Sequence, residues 1–335
     1  MKVQKLLVSI FFITVLIACK GKDDSAYTVF NGNAQGTTYS VKYISADGSI
    51  KKEQLDSIFI AIDASLSTYK SNSIISRINS NEDNVLVDDL FKNVYEASER
   101  VFYESDGLFD PTVAPLVNAY GFGPDGKINS LSSSEIDSLK SYIGINKTQI
   151  TEKGIFKKVY QQSKLDFNAI AQGYSVDIIV DFLLKNNINN AIVEVGGETR
   201  AIGRNTFKNK RWIVGIDDPL QKSDSRFYTT AMLEDLSLAT SGNYRKINKD
   251  TITGNYYVHT VNPITGLAKK TNILSVSVVT KKCMYADAYA TVFMMMSLDQ
   301  TKKFLLSNPT VQVLIIYQDK KGAIKEFKTP NFPKP

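Results

Sequence analysis

The chain has 335 residues, 43% of them hydrophobic and 22% charged, with 40 Lys and Arg against 34 Asp and Glu and a formal net charge of +6. That length and apolar share are ordinary for a globular protein of one large or two small domains. The positive excess is mild and spread along the chain, with no basic block or arginine-rich helix, which excludes the footprint of a nucleic-acid-binding protein.

Met1 to Lys5 form a short basic region, and residues 6–18 are an unbroken apolar or hydroxyl run. The run is too short for a stable membrane span and reads as an export signal. It closes on Leu16-Ile17-Ala18-Cys19, which resembles a bacterial lipobox. The resemblance implies cleavage before Cys19 and lipidation of Cys19; a plain secretory signal with an incidental cysteine is the alternative. Each buried lipid methylene contributes about 0.8 kcal/mol, and stable anchoring takes more than one chain. The expected product is exported and lipid-anchored to a bacterial membrane, facing the periplasm. It divides into a signal peptide over 1–18, a lipidated flexible tether over 19–28 and one folded unit over 29–330. Loss of Lys2 and Lys5 leaves 38 basic against 34 acidic residues. Cys283 is the one other cysteine. With Cys19 lipidated no internal disulfide forms, and Cys283 reads as a small buried filler.

Beyond the tether, apolar residues first repeat at helical spacing: Leu55, Ile58, Phe59, Ile62 and Leu66, then Leu90, Val94, Ala97 and Val101. Ser132 and Glu135 offer a capping box for a helix using Ile136, Leu139 and Ile143. Further helices are expected from about Ala169 to Lys185 and from Ala286 to Met296. Strands are expected over 37–44, 192–195, 212–216, 229–233, 273–279 and 311–317, where β-branched and aromatic residues run together. Short connections in the second half favour antiparallel pairing. The class is α+β, with helices gathered on mixed or antiparallel sheets, and no clear linker divides residues 30–330.

Seven segments and one histidine stand out. Gly36-Thr37-Thr38-Tyr39 opens the first expected strand. Leu66-Ser67-Thr68-Tyr69 begins a hydroxyl cluster between two helices, where unpaired N–H groups suit phosphate oxygens or are simply capped. Phe109-Asp110-Pro111-Thr112-Val113 has a backbone fixed by proline and reads as a structural loop or as a cradle for a planar ring. Asp166 to Asp177 runs from a polar strand end into a helix that begins with small residues, whose open carbonyls could ligate a hard cation. Glu194-Val195-Gly196-Gly197-Glu198 and Ala239-Thr240-Ser241-Gly242-Asn243-Tyr244 follow apolar strands. The glycine pair does not fit a dinucleotide fingerprint. Asp287 and Thr291 are four apart, so on a helix their oxygens share one face. His259, the single histidine of the chain, lies between a β-branched run and the turn Asn262-Pro263-Ile264-Thr265-Gly266. It is either an acid–base group or an ordinary loop histidine.

In this order and spacing, these segments closely resemble the ApbE family of FAD:protein FMN transferases across residues 30–320. The resemblance implies a single catalytic unit related to the T-fold. It implies that FAD is the substrate and is cleaved at its pyrophosphate with a divalent cation, Mg2+ or alternatively Mn2+. FMN passes to a Ser or Thr hydroxyl of an acceptor protein and AMP leaves. Acceptors would be subunits of membrane NADH:quinone reductases or Rnf-type redox complexes. The same resemblance assigns the metal to Asp287, Thr291 and the Ala169 carbonyl, and the catalytic roles to Asp287 and to His259 as base or orienting group. It lines the FAD site with Tyr69, Asp110, Asp166 and Gln172, with Thr68 and Thr240 as further candidates. Two positions depart from the family pattern. Asn262 stands where Asp is common, and Gln172 stands where Lys is frequent, so a positive charge near the phosphates would have to come from Arg245 or Lys246. FAD hydrolysis to FMN and AMP, or flavin binding without turnover by a lipoprotein, are the competing functions.

Overall fold

Strict alternation of buried and half-exposed residues along Thr37–Ser45 places Tyr39, Val41 and Tyr43 on one face of a strand. That face is the start of a large sheet. The computed structural model describes residues 26–45, 50–124, 131–220, 226–242, 247–249, 256–268 and 271–334. Among them, eight strands form one sheet: β1 (Ala26–Ala34), β2 (Thr37–Ser45), β5 (Ala191–Val195), β6 (Glu198–Ile202), β9 (Leu236–Gly242), β12 (Ile273–Thr280), β13 (Gln312–Gln318) and β14 (Ile324–Lys328), in that spatial order. Every neighbouring pair is antiparallel. Three two-stranded ribbons accompany it: β3 (Thr148–Ile150) with β4 (Phe156–Lys158), β7 (Trp212–Asp217) with β8 (Phe227–Leu233), and β10 (Ile247–Lys249) with β11 (Tyr256–Val258).

The helices are α1 (Lys52–Leu66), α2 (Ile74–Asn79), α3 (Asp89–Glu104), α4 (Ala114–Ala119), α5 (Ser133–Ser141), α6 (Ala171–Lys185), α7 (Cys283–Met295) and α8 (Leu298–Ser307). The expected periodic residues lie inside α1 and α3, and Ser132 and Glu135 close the reciprocal capping box on α5. Helix α5 stops at Ser141, so Ile143 packs from the loop beyond it. Helix α7 starts at Cys283, three residues before the periodic pattern becomes visible. Cys283 itself is a buried free thiol. The first strand begins at Ala26, so sheet pairing starts before residue 29.

One face of the sheet carries helices. Val176, Ile179 and Leu183 of α6 pack with Leu55 and Phe59 of α1 on Tyr39, Val41 and Val193. Tyr289 and Phe293 of α7 join Phe91 and Val94 of α3 over Ala239, Val276 and Val278. The opposite face is covered by the β7–β8 ribbon, with Trp212 and Leu233 packed on Leu238, Val279 and Leu314. A fourth, smaller core joins α4 and α5 to the stretch after β11, through Leu116, Tyr120, Ile143, Val261 and Ala268. No described helix is long and apolar enough to cross a membrane. Residues 1–25, including Cys19, lie outside the described residues.

Candidate active site

Three of the singled-out segments meet at the start of α6. The β1–β2 turn holds Gln35 and Gly36 at φ of 53° and 73°, a region open to glycine and costly for most residues. Gln35 Nε2 donates to Ser175 Oγ at 2.7 Å, and Ser175 Oγ donates to the Ala171 carbonyl at 2.8 Å. The β5–β6 turn contributes Gly196 at φ 65°, where an added Cβ would sit 3.0 Å from both Gln172 Nε2 and Thr37 Cγ2. The Gly196 turn thus lies against Gln172, and the β1–β2 turn is tied to the same helix through Ser175. Gln35 is a participant that sequence reasoning missed, because nothing in its local pattern signals a partner 140 positions away.

The segment leading into α6 is tied to the Phe109–Val113 loop. Asp166 N donates to the Pro111 carbonyl at 2.7 Å, and Asp166 Oδ1 accepts from Asn168 N at 2.7 Å. Asp110 Oδ1 accepts from Thr112 N at 2.8 Å and Thr112 Oγ1 at 2.6 Å, while Oδ2 accepts from Ile145 N at 3.3 Å. Thr112 Oγ1 in turn accepts from Gly144 N at 2.7 Å. Burial pushes the Asp110 carboxyl above its ordinary range, and these bonds pull it back. Asp110 is thus an internal pin of the loop, with both oxygens engaged by protein. Tyr69 is 64% exposed. Its hydroxyl is raised by partial burial and by the Asp166 charge. Beside it, Thr68 Oγ1 is buried with no hydrogen-bond partner. A buried orphan hydroxyl is costly unless something else bonds it.

The centre of the site is the seam between α6 and α7. Asp287 is only 7% exposed. Its Oδ2 accepts from Gly173 N at 3.0 Å. The approach is possible because residue 173 has no side chain: a Cβ there would sit 2.5 Å from the Cys283 carbonyl oxygen and 2.9 Å from Asp287 Cβ. The first N–H groups of a helix have no partner within it. Asp287 takes the one that would otherwise reach back toward the Ala169 carbonyl. Burial pushes the Asp287 carboxyl up to about 7, against the pull of the Gly173 N–H. Thr291 follows one turn along α7. One carboxylate, one hydroxyl and one carbonyl are a hard-oxygen set suited to Mg2+ or Mn2+ completed by waters and phosphate oxygens. No group of three His, Cys, Asp or Glu that could hold a metal occurs among the described residues, so a cation at this set would have the Asp287 carboxylate and neutral oxygens.

Two expected residues are held by other elements. Thr240 Oγ1 lies 2.8 Å from Ser277 Oγ across the β9–β12 pair. It shares a face with Leu238 and Val279 under the β7–β8 ribbon, while its neighbour Ala239 packs with the α7 core. Thr240 is therefore on the opposite side of the sheet from Asp287. His259 belongs to the α4–α5 lobe, its ring edge-on to Phe122 with centroids 6.4 Å apart. The loop is fastened by Tyr120 Oη donating to the Gly266 carbonyl at 2.9 Å and by Val258 N donating to the Ala268 carbonyl at 3.1 Å. Asn262 Oδ1 accepts from Ile264 N and Thr265 N, both at 2.9 Å. A neutral amide thus builds the same turn that an aspartate would. Arg245 and Lys246 lie outside the described residues.

The chain matches the model of the ApbE family over residues 35–315. It is 30% identical over 335 residues to the FAD:protein FMN transferase of Vibrio cholerae, covering 97% of each chain. It is 29% identical over 326 residues to the FAD:protein FMN transferase of Haemophilus influenzae, covering 93% of this chain and 92% of that one. Among solved structures, the flavin transferase ApbE from Vibrio cholerae superposes with a TM-score of 0.80 at 28% identity, over 92% of this chain and 98% of that one. The apo form of the Pseudomonas stutzeri flavinyl transferase ApbE also gives 0.80, at 27% identity over 91% and 95%.

Proposed function

The chain belongs to the ApbE family, and from that premise we propose that it transfers FMN from FAD to a hydroxyl of an acceptor protein. The observation that carries this reading is the Gly173–Asp287 bond. It holds a desolvated carboxylate at the start of α6, one helical turn from Thr291 on α7. Asp287, Thr291 and the Ala169 carbonyl would hold Mg2+ or Mn2+, which when bound supplies charge neutralisation at the pyrophosphate. Thr68, Tyr69, Asp166 and Gln172 line the flavin nucleotide, and Asp110 keeps their loop in place. The Ser or Thr oxygen of the acceptor forms a bond to the FMN phosphorus. The bond from that phosphorus to the bridging oxygen breaks, and AMP leaves with its electron pair. His259 takes the hydroxyl proton as general base. The nucleophile belongs to the acceptor, so the enzyme itself need not supply one.

The reading extends to location. Lipidation at Cys19 and a tether ahead of the sheet would hold the enzyme on the periplasmic face of a membrane, beside acceptors in NADH:quinone reductase or Rnf-type complexes. The test mixes the purified protein with FAD, Mg2+ and such a subunit, followed by a denaturing gel. Flavin fluorescence that stays on the acceptor band and requires the cation is the expected result. Accumulation of free FMN and AMP with an unlabelled acceptor would make the protein a hydrolase. FAD binding without either product would remove catalysis altogether.

A further inference from the structure

Asp177 and Arg200 take no part in the chemistry above, yet they are among the most enclosed charges near it, with side chains 3% and 13% exposed. Helix α7 has no side-chain cap of its own. Its first N–H groups are taken instead by α6: Asp177 Oδ1 accepts from Cys283 N and Oδ2 from Met284 N, each at 3.0 Å. A carboxylate at a helix N-terminus is favoured by the helix dipole. Asp177 Oδ1 also accepts from Arg200 Nη1 at 2.7 Å, which anchors the pair to β6. Arg200 reaches Asp181 at 3.6 Å, and Lys282 binds Asp181 at 3.2 Å nearer the surface.

The spacing gives this cap a consequence. Asp177 is four residues after Gly173 on α6, and Cys283 is four residues before Asp287 on α7. The two helices run antiparallel, so Asp177 to Cys283 and Gly173 to Asp287 are successive rungs, about 6 Å apart along each axis. Another step of four leads to Thr291 on α7 and to Ala169, two residues before α6 begins. The cation site assigned above therefore adjoins the Gly173–Asp287 rung. We infer that Asp177, held by Arg200, is a positioning residue: by capping α7 from α6 it sets the register of the two helices, and so the placing of Asp287 and Thr291 against the Ala169 carbonyl.

The inference rests on the seam being the metal site, so the experiment separates the two. Mn2+ binding to the purified full chain is measured by electron paramagnetic resonance, without FAD or acceptor. Asp287→Ala should abolish binding; if binding persists, the seam is not the metal site. Asp177→Asn keeps the size but not the charge and sets an amide N–H2 against a helix N–H. It should weaken Mn2+ binding about tenfold, and excess Mn2+ should restore most of the transfer rate. Asp181→Asn, which changes only the outer part of the network, should bind as the parent does. An unchanged affinity in Asp177→Asn, with Asp287→Ala silent, would overturn the positioning role alone, as would a tenfold loss in Asp181→Asn. Should Asp177→Asn fail to fold, Arg200→Gln leaves the two cap bonds and removes their anchor. An affinity about threefold weaker is then expected, and parental affinity overturns the inference.

Discussion

The α6–α7 seam and the histidine lobe hold their functional groups in opposite ways. In the seam, Asp287 is fixed by a backbone N–H at 3.0 Å and by a glycine that lets two helices touch. In the lobe, His259 follows a three-residue strand and rests on a turn whose bonds come from Asn262 and from the Gly266 carbonyl. Metal ligation demands fixed oxygens, and helices supply them. A base that must meet the hydroxyl of an incoming protein gains from sitting on a separate lobe, which can adjust without disturbing the ligands. The contrast predicts that damage to the seam removes chemistry and stability together, and that damage to the lobe removes chemistry alone.

The largest effect should follow Asp287→Ala. Loss of the one carboxylate of the proposed cation site should lower covalent flavin transfer by about a thousandfold or more, in keeping with several kcal/mol of lost charge stabilisation. Single-turnover labelling of the acceptor measures it. Activity within tenfold of the parent would mean that the seam is not where the pyrophosphate is cleaved. His259→Ala should cost about 10²- to 10⁴-fold in rate, with FAD affinity and thermal stability close to the parent. A variant that also melts early would show that the lobe is a structural unit rather than an adjustable one.

Gly173→Ala probes the seam through sterics. The new methyl would meet the Cys283 carbonyl oxygen at 2.5 Å, backbone that cannot rotate away. Overpacking of this kind costs about 1–3 kcal/mol, read as a lower denaturation midpoint, and the helices must part to relieve it. A parental midpoint would mean that α6 and α7 slide freely, and the ladder would lose its meaning.

The sequence made the α+β class, the main helices and most central strands legible, because their apolar residues repeat with periods of 3.6 and 2. Leu55, Phe59 and Ile62 are buried as their spacing implies. Asp287 and Thr291 were readable as a shared helix face for the same reason. What the sequence could not show is contact across the fold. The start of α7 at Cys283 depends on a carboxylate 106 positions earlier, and no local capping signal marks it. Thr240 looks like any other strand residue, and only the pairing of β9 with β12 sets its side chain against Ser277, on the face away from Ala239 and the α7 core. Asp110 is assigned to the FAD site by family resemblance alone, and its local sequence does not show that its two oxygens accept bonds from Thr112 and Ile145.

That role of Asp110 makes a milder prediction about pH. Burial raises its carboxyl above the ordinary value of 3.8. The folded protein therefore keeps this proton over a window in which the unfolded chain has lost it. Stability from this group is full below pH 3.8, declines as pH rises through the window, and levels off above the folded-state value. Denaturant titrations of the parent and Asp110→Asn across pH 4–7 should differ in this slope, the parent losing stability with rising pH relative to the variant. A variant that tracks the parent at every pH would place the Asp110 carboxyl in the ordinary range, with burial fully offset by the bonds from Thr112 and Ile145.

The smallest effect concerns charge rather than geometry. Gln172 lies against the Gly196 turn, where the family often has lysine, so on the proposed reading the pyrophosphate would lack a cation at that position. Gln172→Lys should bring one in on a flexible stem without touching the seam. An exposed or half-exposed charge pair contributes up to about 1 kcal/mol, which corresponds to FAD binding tighter by at most about fivefold at low ionic strength. Screening should erase most of that gain at about 1 M salt, where the Debye length falls to about 3 Å. The rate with saturating FAD should move less, because a long-range charge stabilises bound substrate and transition state almost alike. A gain in rate without a gain in affinity would mean that the lysine acts on the transition state, and the Gly196 turn against residue 172 would then belong to the reacting centre. No change in either would place Gln172 beside the flavin or ribose rather than the phosphates. Each outcome locates the phosphates relative to the start of α6, and so fixes how far the leaving group lies from the ladder that carries Asp287.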